Sequence, residues 1–456
     1  MKKIIFSAKR IDLLIVLISS LMMILVLNLP FKAHPFGDKD SFFDEAKLVS
    51  FFLKDEVGYD QVTLTKAPAP VFIYAPTFLL TSAHPTDMDL WYRGVAINFV
   101  LATISLLMIY RAARNFFDEK TALISVMLLF LFPIHFYYIF GITAEVPAFF
   151  AASVIAFGWS RVYFNSRKLS NWLLFGFGLW LLIMCRPNAL LILGLGFLAL
   201  VYAFFKRKDF FREYGKKTFF TLTVCGLACF ATLQLAKLVS ANKKAYDQEG
   251  LFYFVAHQGR YQFREEPLDF RFWDDDVRPD SKDYKNWKLK AQELEETRIR
   301  TGKTSPEVYR DYLINDILGH PFITTRQFFV KSLFGHIYIV NSISPQSFHL
   351  GPLKGPFFYW AFLFVVNLIN VLIIAGSFIF LFKTKDLLKY WPIWSITLGL
   401  LFFHGMMYME PRYMLPSRIA LHLMGAAGLY QIGWIRKKID FVAKFVFPVK
   451  NRPVGA

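Results

Sequence analysis

Long apolar runs separated by short basic connectors dominate this 456-residue chain. A helix needs about 20 apolar residues to cross the hydrocarbon layer of a membrane, and ten runs come close to or exceed that length. They lie at about 11–29, 91–110, 121–140, 142–160, 171–185, 188–205, 218–239, 356–382, 390–409 and 414–434. Backbone polar groups in lipid must be hydrogen-bonded internally, so such runs fold as helices. The sequence therefore predicts an all-α polytopic membrane protein with about ten transmembrane helices.

Composition agrees with this fold class. The chain is 55% hydrophobic and 18% aromatic, with a mean hydropathy of +0.39, values unlike those of a soluble domain. The formal charge of +18 would suit a nucleic-acid-binding protein, but the basic residues lie mostly in short connectors and not on one folded surface. The expected partners are membrane lipids, and nucleic acid is not among them.

The basic connectors also predict the orientation of the spans. If the N-terminus is cytoplasmic, the connectors that face the cytoplasm carry most of the lysines and arginines, as the positive-inside rule requires. These residues are Arg111, Arg114 and Lys120; Arg161, Arg167 and Lys168; Lys206, Arg207, Lys208, Arg212, Lys216 and Lys217; Lys383, Lys385 and Lys389; and Arg436, Lys437, Lys438 and Lys444 in the tail. The opposite short connectors carry only Arg186 and Arg412. Both termini are thus predicted to be cytoplasmic.

This topology divides the chain into four parts. They are a first transmembrane part at 1–239 with an outer loop at 30–90, an outer segment at 240–355, a second transmembrane part at 356–435, and a basic cytoplasmic tail at 436–456. The fifth run is short, so it is either tilted or paired with the sixth in a re-entrant hairpin broken at Arg186-Pro187.

The outer segment is predicted to be mainly helical. One helix is expected over Lys282–Arg300, and a second is expected to begin at Ser305, as N-cap before Pro306, and to end near Gly319. After His320-Pro321, the stretch Phe322–His336 has an amphipathic pattern suited to the membrane surface. The stretch Phe42–Leu53 in the first outer loop has a similar pattern.

Unusual polar residues gather on the predicted outer side. Those singled out are Asp44, Glu45, Lys66, Glu145, Arg186 and Arg412. Their convergence on one face predicts a single site between helix ends. Simpler interpretations exist. Asp44 and Glu45 would complement a helix dipole, and Arg186 and Arg412 would be anchors at the membrane interface. Glu145 is harder to explain in this way, because a glutamate inside an apolar span needs a partner or a function.

Five short motifs in this order resemble the GT-C superfamily of membrane glycosyltransferases, in particular the branch with the protein O-mannosyltransferases and aminoarabinose transferases. The motifs are Asp44-Glu45-Ala46, Lys66-Ala67-Pro68-Ala69-Pro70, Thr143-Ala144-Glu145-Val146-Pro147, Ile317-Leu318-Gly319-His320-Pro321 and Arg412-Tyr413-Met414-Leu415-Pro416. The resemblance covers about residues 10–435. Ala67 and Ala69 depart from the pattern, in which prolines run together.

The resemblance implies a hexosyl- or pentosyltransferase that moves a sugar from a polyprenyl phosphate to a hydroxyl group of a lipid, glycan or protein. Asp44 would be the general base, and Glu45 and Glu145 would assist it. Lys66, Arg186 and Arg412 would bind the donor phosphate. No organic cofactor is implied, and the resemblance leaves open whether a divalent metal ion takes part. The expected location is a bacterial inner membrane, with the site facing the periplasm.

Two other classes of protein fit part of the pattern. A glycan polymerase or ligase also has many spans and a large outer loop, but such proteins usually rely on outer arginines and histidines. A transporter would show repeated halves and charged groups at the membrane midplane, whereas here the ionisable groups lie at the outer helix ends and the halves do not repeat.

Overall fold

The structure, a computed structural model, describes residues 2–27, 42–62, 64, 67–80, 86–131, 138–239, 248–268, 280–337, 349–350, 353–409 and 411–446. Its long helices are α1 Lys2–Leu27, α2 Phe42–Phe52, α3 Pro68–Leu79, α4 Asp87–Phe116, α5 Glu119–Leu131, α6 Glu145–Phe164, α7 Leu169–Cys185, α8 Leu191–Lys206, α9 Lys216–Val239, α10 Gln248–Tyr261, α11 Lys282–Thr301, α12 Ser305–Gly319, α13 Pro321–Ile337, α14 Pro356–Lys383, α15 Trp391–Met406, α16 Ser417–Tyr430 and α17 Gly433–Val446. Short helical turns lie at Tyr59–Gln61, Tyr138–Phe140, Pro187–Leu190, Lys208–Phe210, Phe211–Gly215, Leu387–Tyr390 and Pro411–Met414. A two-residue antiparallel pair joins β1 His349–Leu350 to β2 Leu353–Lys354.

The described residues are almost entirely helical, in agreement with the predicted fold class. Five of their helices are long and apolar enough to cross a membrane. These are Asp87–Phe116, Glu145–Phe164, Pro187–Lys206, Lys208–Ala236 and Phe364–Lys383. Shorter apolar helices lie at Ile11–Ile24, Pro68–Leu79 and Leu169–Cys185. The total of ten spans stays a prediction.

Helices α6 and α7 run antiparallel and pack closely along their length. A Cβ atom on Gly158 would lie 2.8 Å from the Phe175 nitrogen, and one on Gly178 would lie 2.8 Å from the Ile155 nitrogen. Small residues at such positions let two helix backbones approach each other. Because the helices are antiparallel, the first residue of α6, Glu145, lies at the same end of the pair as Arg186, which follows the last residue of α7.

Contacts at the other end of the bundle join the basic connectors to one another. Arg207 pairs with Asp386 at 3.1 Å. The ammonium group of Lys217 donates a hydrogen bond to the carbonyl oxygen of Ser166 at 2.7 Å, and that of Lys389 donates to the carbonyl oxygen of Phe116 at 3.2 Å. The connectors predicted to face the cytoplasm therefore lie together, at the end of the α6–α7 pair opposite Glu145.

The described part of residues 240–355, the predicted outer segment, follows the predicted helix pattern with one correction. Its second helix begins with Thr304 as N-cap, where Ser305 was expected. The backbone N–H and the hydroxyl group of Thr304 both donate to Glu307 Oε2 at 2.8 Å. This capping box uses the residue before the Ser-Pro pair, so Ser305 is the first residue of the helix.

Helix α13 has one face buried in the protein and one exposed. Gln327, Lys331 and Phe334 are buried, whereas Phe329 and Leu333 are exposed. The amphipathic pattern predicted for this stretch is therefore present, but its protein-facing side is polar as well as apolar. Lys331 on that side donates a hydrogen bond to the carbonyl oxygen of Met407, in the loop after α15.

Candidate active site

Glu145 is the buried centre of a cluster of charged side chains. Its carboxylate oxygen Oε1 accepts a hydrogen bond from Arg186 Nη2 at 2.6 Å and lies 3.8 Å from Arg412 Nε. The side chain of Glu145 is 4% exposed. Three predicted site residues from separate parts of the chain therefore meet at one point. Two guanidinium groups that converge on one point suit an anionic ligand, because both can donate hydrogen bonds to its oxygens.

Tyr413 holds the two arginines side by side. The guanidinium carbon of Arg186 lies 4.9 Å from the centre of the Tyr413 ring, and that of Arg412 lies 5.4 Å from it. The ring of His404 stacks on the same tyrosine with 4.7 Å between centroids. Attraction between guanidinium groups and an aromatic face offsets part of the repulsion between the two cations. Tyr413 was part of a motif, but its role was not predicted.

The hydrogen bonds of Arg186 leave much of its guanidinium group available. Its Nε atom is buried and donates to no acceptor within the described part of the chain, and the only acceptor recorded for its Nη atoms there is Glu145. Arginine has five N–H donors in a planar fork that matches phosphate oxygens. An oxyanion beside this side chain would satisfy the unused donors.

Buried polar groups on α3 and α4 position the turn that precedes Glu145. Asn98 Nδ2 donates to the carbonyl oxygens of Ile139 at 2.9 Å and Gly141 at 2.8 Å. The Tyr74 hydroxyl lies 2.7 Å from Asn98 Oδ1 and 3.0 Å from the Thr143 carbonyl oxygen. The start of α6 is thus tied to the first outer loop. Asn98 is a lone amide in an apolar span, a sequence signal that could have found it.

The loop after α15, which carries Arg412, is held by side chains from the outer segment. Gln262 makes two hydrogen bonds with the backbone of Met409: its Oε1 accepts from the N–H group, and its Nε2 donates to the carbonyl oxygen, both at 2.8 Å. Lys331 Nζ donates to the carbonyl oxygens of Met407 at 2.8 Å and Gly259 at 2.7 Å. Gln262, Lys331 and Gly259 are together called the loop clamp here.

The clamp is tightly built. A Cβ atom on Gly259 would lie 2.4 Å from the carbonyl carbon of Met407, so only glycine fits there. Phe263 has a φ of 62°, in the left-handed region that a bulky residue rarely adopts. Its buried side chain packs on Phe334 with 5.2 Å between ring centroids.

Burial and the nearby Arg260 lower the pKa of Lys331 well below its ordinary value.

A buried ion cluster around Asp316 stabilises the helices behind the clamp. Arg260 Nε lies 2.6 Å from Asp316 Oδ2, and Arg264 Nη1 lies 3.0 Å from Asp316 Oδ1. Arg260 Nη1 also donates to Gln327 Oε1 at 3.1 Å. Burial alone would raise the pKa of Asp316, but Arg260 and Arg264 outweigh it and hold that pKa below its ordinary value. The ionised carboxylate therefore links α12 to α10, and Arg260 links α10 to α13.

His257 on α10 is fully buried among aromatic rings, and neither ring nitrogen has a hydrogen-bond partner among the described residues. The rings of Tyr309, Tyr261, Tyr312 and Trp287 have centroids 5.1, 5.4, 5.5 and 6.4 Å away. Burial, and to a lesser extent Lys290, lowers the pKa of His257 to about 4, against an opposing effect of Asp316. The histidine is therefore neutral at pH 7.

This pKa predicts a loss of stability in mild acid. In the unfolded state His257 has an ordinary pKa of about 6.5, whereas in the folded state it binds a proton only below about pH 4. Between these values the unfolded state binds more protons, so lowering the pH favours unfolding. We expect the free energy of unfolding to fall by about 2 kcal/mol from pH 7 to pH 5 on account of this group. In the His257→Phe variant that part of the pH dependence should vanish, as measured by denaturant unfolding at both values. An equal pH dependence in the two proteins would contradict the assignment.

Asp44 and Glu45, the two predicted site residues of the first outer loop, lie in the first turn of α2 and have different surroundings. Asp44 is exposed and Glu45 is buried. Helix α2 packs on α3, with Phe43 and Phe78 5.7 Å apart between ring centroids. Helix α3, which the sequence did not predict, also carries Tyr74, so α2 is connected through α3 to the turn before Glu145. Lys66 lies outside the described residues.

Within the described ranges, no group of three or more His, Cys, Asp or Glu side chains is placed to hold a metal ion. The question of a metal ion raised by the sequence is thereby left untested.

Comparison with known proteins gives one family and several solved structures. Residues 92–234 match the family model described as dolichyl-phosphate-mannose-protein mannosyltransferase. No curated protein matches the chain. The oligosaccharyltransferase AglB from Archaeoglobus fulgidus, solved with an inhibitory peptide and a dolichol-phosphate, matches at 13% identity and a TM-score of 0.47, over 96% of this chain and 55% of its own. The apo form of the Archaeoglobus fulgidus oligosaccharyltransferase matches at 13% identity and a TM-score of 0.49, over 94% of this chain and 52% of its own.

The matched segment contains Glu145 and Arg186, together with the antiparallel helices that bring them to one end of the bundle. The similarity to the mannosyltransferase family model is confined to this segment of the chain. The chain spans about half the length of the solved structures it matches.

Proposed function

We propose that the protein transfers a sugar from a polyprenyl-phosphate donor to an acceptor hydroxyl group at the outer face of a bacterial inner membrane. The observation that carries the proposal is the meeting of Arg186 and Arg412 at the buried carboxylate of Glu145. Two guanidinium groups at one point can both donate to the oxygens of a leaving phosphate and stabilise its charge.

In the proposed reaction, the acceptor oxygen attacks the anomeric carbon of the sugar. A new bond from carbon to the acceptor oxygen forms as the bond from carbon to the phosphate oxygen breaks, and the electron pair of the broken bond leaves with the polyprenyl phosphate. Arg186 and Arg412 stabilise that negative charge through the phosphate oxygens. Glu145 fixes the two guanidinium groups in place before the donor binds.

The acceptor proton passes to a carboxylate, for which we propose Asp44. Asp44 is exposed in the first turn of α2, so a substrate can reach it. We assign the buried Glu45 to orienting this helix turn or the acceptor, and Lys66 to the donor phosphate. The exposed apolar face of α13, with Phe329 66% and Leu333 52% exposed, suits contact with lipid, including the polyprenyl chain.

The test uses membranes that contain the protein and a radiolabelled polyprenyl-phosphate sugar. We expect the wild type to consume the donor, and Asp44→Asn to reduce transfer by a factor on the order of 10² to 10⁴ without a loss of protein from the membrane. Glu56→Gln is the matched control, because Glu56 is an exposed acid that follows the same helix. Turnover at the wild-type rate in Asp44→Asn would refute the assignment of the base. Lack of donor consumption by the wild type with any polyprenyl-phosphate sugar would refute the function.

A further inference from the structure

The last described helix, α17, separates its apolar and charged residues more sharply than any other helix of the described chain. It follows α16, whose residues are almost all buried in the bundle, after only two residues. Its start therefore lies at the end of the bundle where the basic connectors meet. The predicted tail was basic, but a structured amphipathic helix in it was not predicted.

One side of α17 is fixed to the protein. The carboxylate of Asp440 pairs with the ammonium group of Lys120, the second residue of α5, and accepts a hydrogen bond from the Tyr430 hydroxyl at 2.9 Å. Ile435 and Ile439 on the same helix are half-buried. The one acidic side chain of the helix is therefore occupied by internal partners.

The opposite side of α17 is an exposed face of two aromatic and two basic residues. Trp434 is 68% exposed and Phe441 is 61% exposed. They are two turns apart and about 20° apart around the helix axis. Lys437 lies about 60° to one side of Trp434 and Lys438 about 40° to the other. Both lysines are exposed, and neither forms an ion pair with a described residue.

We propose that this face binds the anionic headgroups of membrane phospholipids. Trp434 and Phe441 insert at the boundary between headgroups and acyl chains, where aromatic side chains of this kind are enriched. Lys437 and Lys438 reach the lipid phosphates on either side of them.

Three observations favour lipid over a protein partner. The helix is joined through Asp440 to Lys120 of a basic connector, at the end of the bundle where such connectors border the membrane surface. The exposed charges on this face are all positive, because Asp440 is paired internally. Water-exposed Trp and Phe flanked by lysines suit an interface that is apolar on one side and anionic on the other.

The first test measures lipid retention by the full-length protein. Protein purified from bilayers of phosphatidylcholine with phosphatidylglycerol is examined by native mass spectrometry for bound phosphatidylglycerol. We expect the Lys437→Gln/Lys438→Gln variant to bind it about 25-fold more weakly, since each basic residue at a membrane surface contributes about a factor of five. The control, Lys282→Gln/Lys285→Gln, makes the same charge change on exposed residues of α11 and should bind as the wild type does. Equal retention by all three proteins would overturn the proposal.

A second measurement separates lipid from other occupants of the face. Cys185, Cys225 and Cys229 are buried, so a cysteine introduced by Phe441→Cys can be labelled selectively with a fluorophore. We expect brominated phosphatidylglycerol in the bilayer to quench this label, and not a label at Ile299→Cys, a position 69% exposed on α11. A label at position 441 that the lipid does not quench would show that water or another protein covers the face, and the proposal would fail. Neither result depends on sugar transfer.

Discussion

Replacing Arg186 by methionine is expected to lower sugar transfer by a factor on the order of 10² to 10³, the usual loss when a donor to a developing oxyanion is removed. The variant should also lose stability, about 3–5 kcal/mol, because Glu145 would stay buried with Arg412 3.8 Å away as its remaining described ion-pair partner. The measurements are transfer from a radiolabelled donor and the free energy of unfolding in detergent.

The double variant Glu145→Gln/Arg186→Met separates the two effects. Removing both charges relieves the unpaired carboxylate, so stability should recover most of the loss, while transfer should stay low because the phosphate-binding cation is still missing. If the double variant regained transfer together with stability, the ion pair would be structural and Arg186 would not bind the donor. Arg207→Met is the control: it removes an ion pair to Asp386 that is partly exposed and should change both quantities little.

Gly259→Ala is expected to reduce transfer about a hundredfold although Gly259 itself touches no substrate in the proposed reaction. The added methyl group would lie 2.4 Å from the Met407 carbonyl carbon and 2.6 Å from the Tyr408 nitrogen. Helix α10 and the loop must therefore separate, which moves Arg412 away from Glu145. A displacement of about 1 Å in a positioning group can cost a hundredfold in rate. Gln262→Ala should also reduce sugar transfer, because it removes both hydrogen bonds to the backbone of Met409.

Hydrogen exchange of the peptide over residues 407–416 checks the cause independently of activity. Gln262 Oε1 accepts from the Met409 N–H group, so both variants should exchange faster there than the wild type. Gly319→Ala is the control, since a Cβ atom at Gly319 would meet nothing within 4 Å. A slow transfer rate with unchanged exchange in this loop would mean that the clamp does not position Arg412.

Sequence reasoning was most successful where the physical cause is local. Each predicted run over 91–110, 142–160 and 356–382 lies within or largely overlaps a helix, because backbone groups in an apolar environment have no acceptors other than their own chain. The Thr-x-Glu-x-Pro and Arg-Tyr-x-x-Pro motifs led to Glu145 and Arg412 as site residues, and the structure brings these two together with Arg186. Their roles in catalysis stay predictions.

The features that the sequence did not predict depend on contacts between elements that are far apart in the chain. Gln262 and Lys331 look like ordinary polar residues of a charged outer segment, and nothing in their neighbours indicates that they bind the backbone of Met407 and Met409. Helix α3 was missed because its sequence has prolines at 68, 70 and 76; Pro68 and Pro70 are tolerated in the first turn, where N–H groups lack partners in any case.

By itself, the sequence determined that this chain is mainly apolar helices, and it predicted basic residues at one side and the unusual acids and arginines at the other. The length of an apolar run and the charge of a connector are properties of contiguous sequence, so they can be predicted without a structure. Only the tertiary structure decided which of those polar groups meet. Glu145 and Arg186 are 41 residues apart and meet because glycines let α6 and α7 pack closely. Arg412 reaches them because the outer segment clamps its loop, an arrangement that depends on packing in three dimensions.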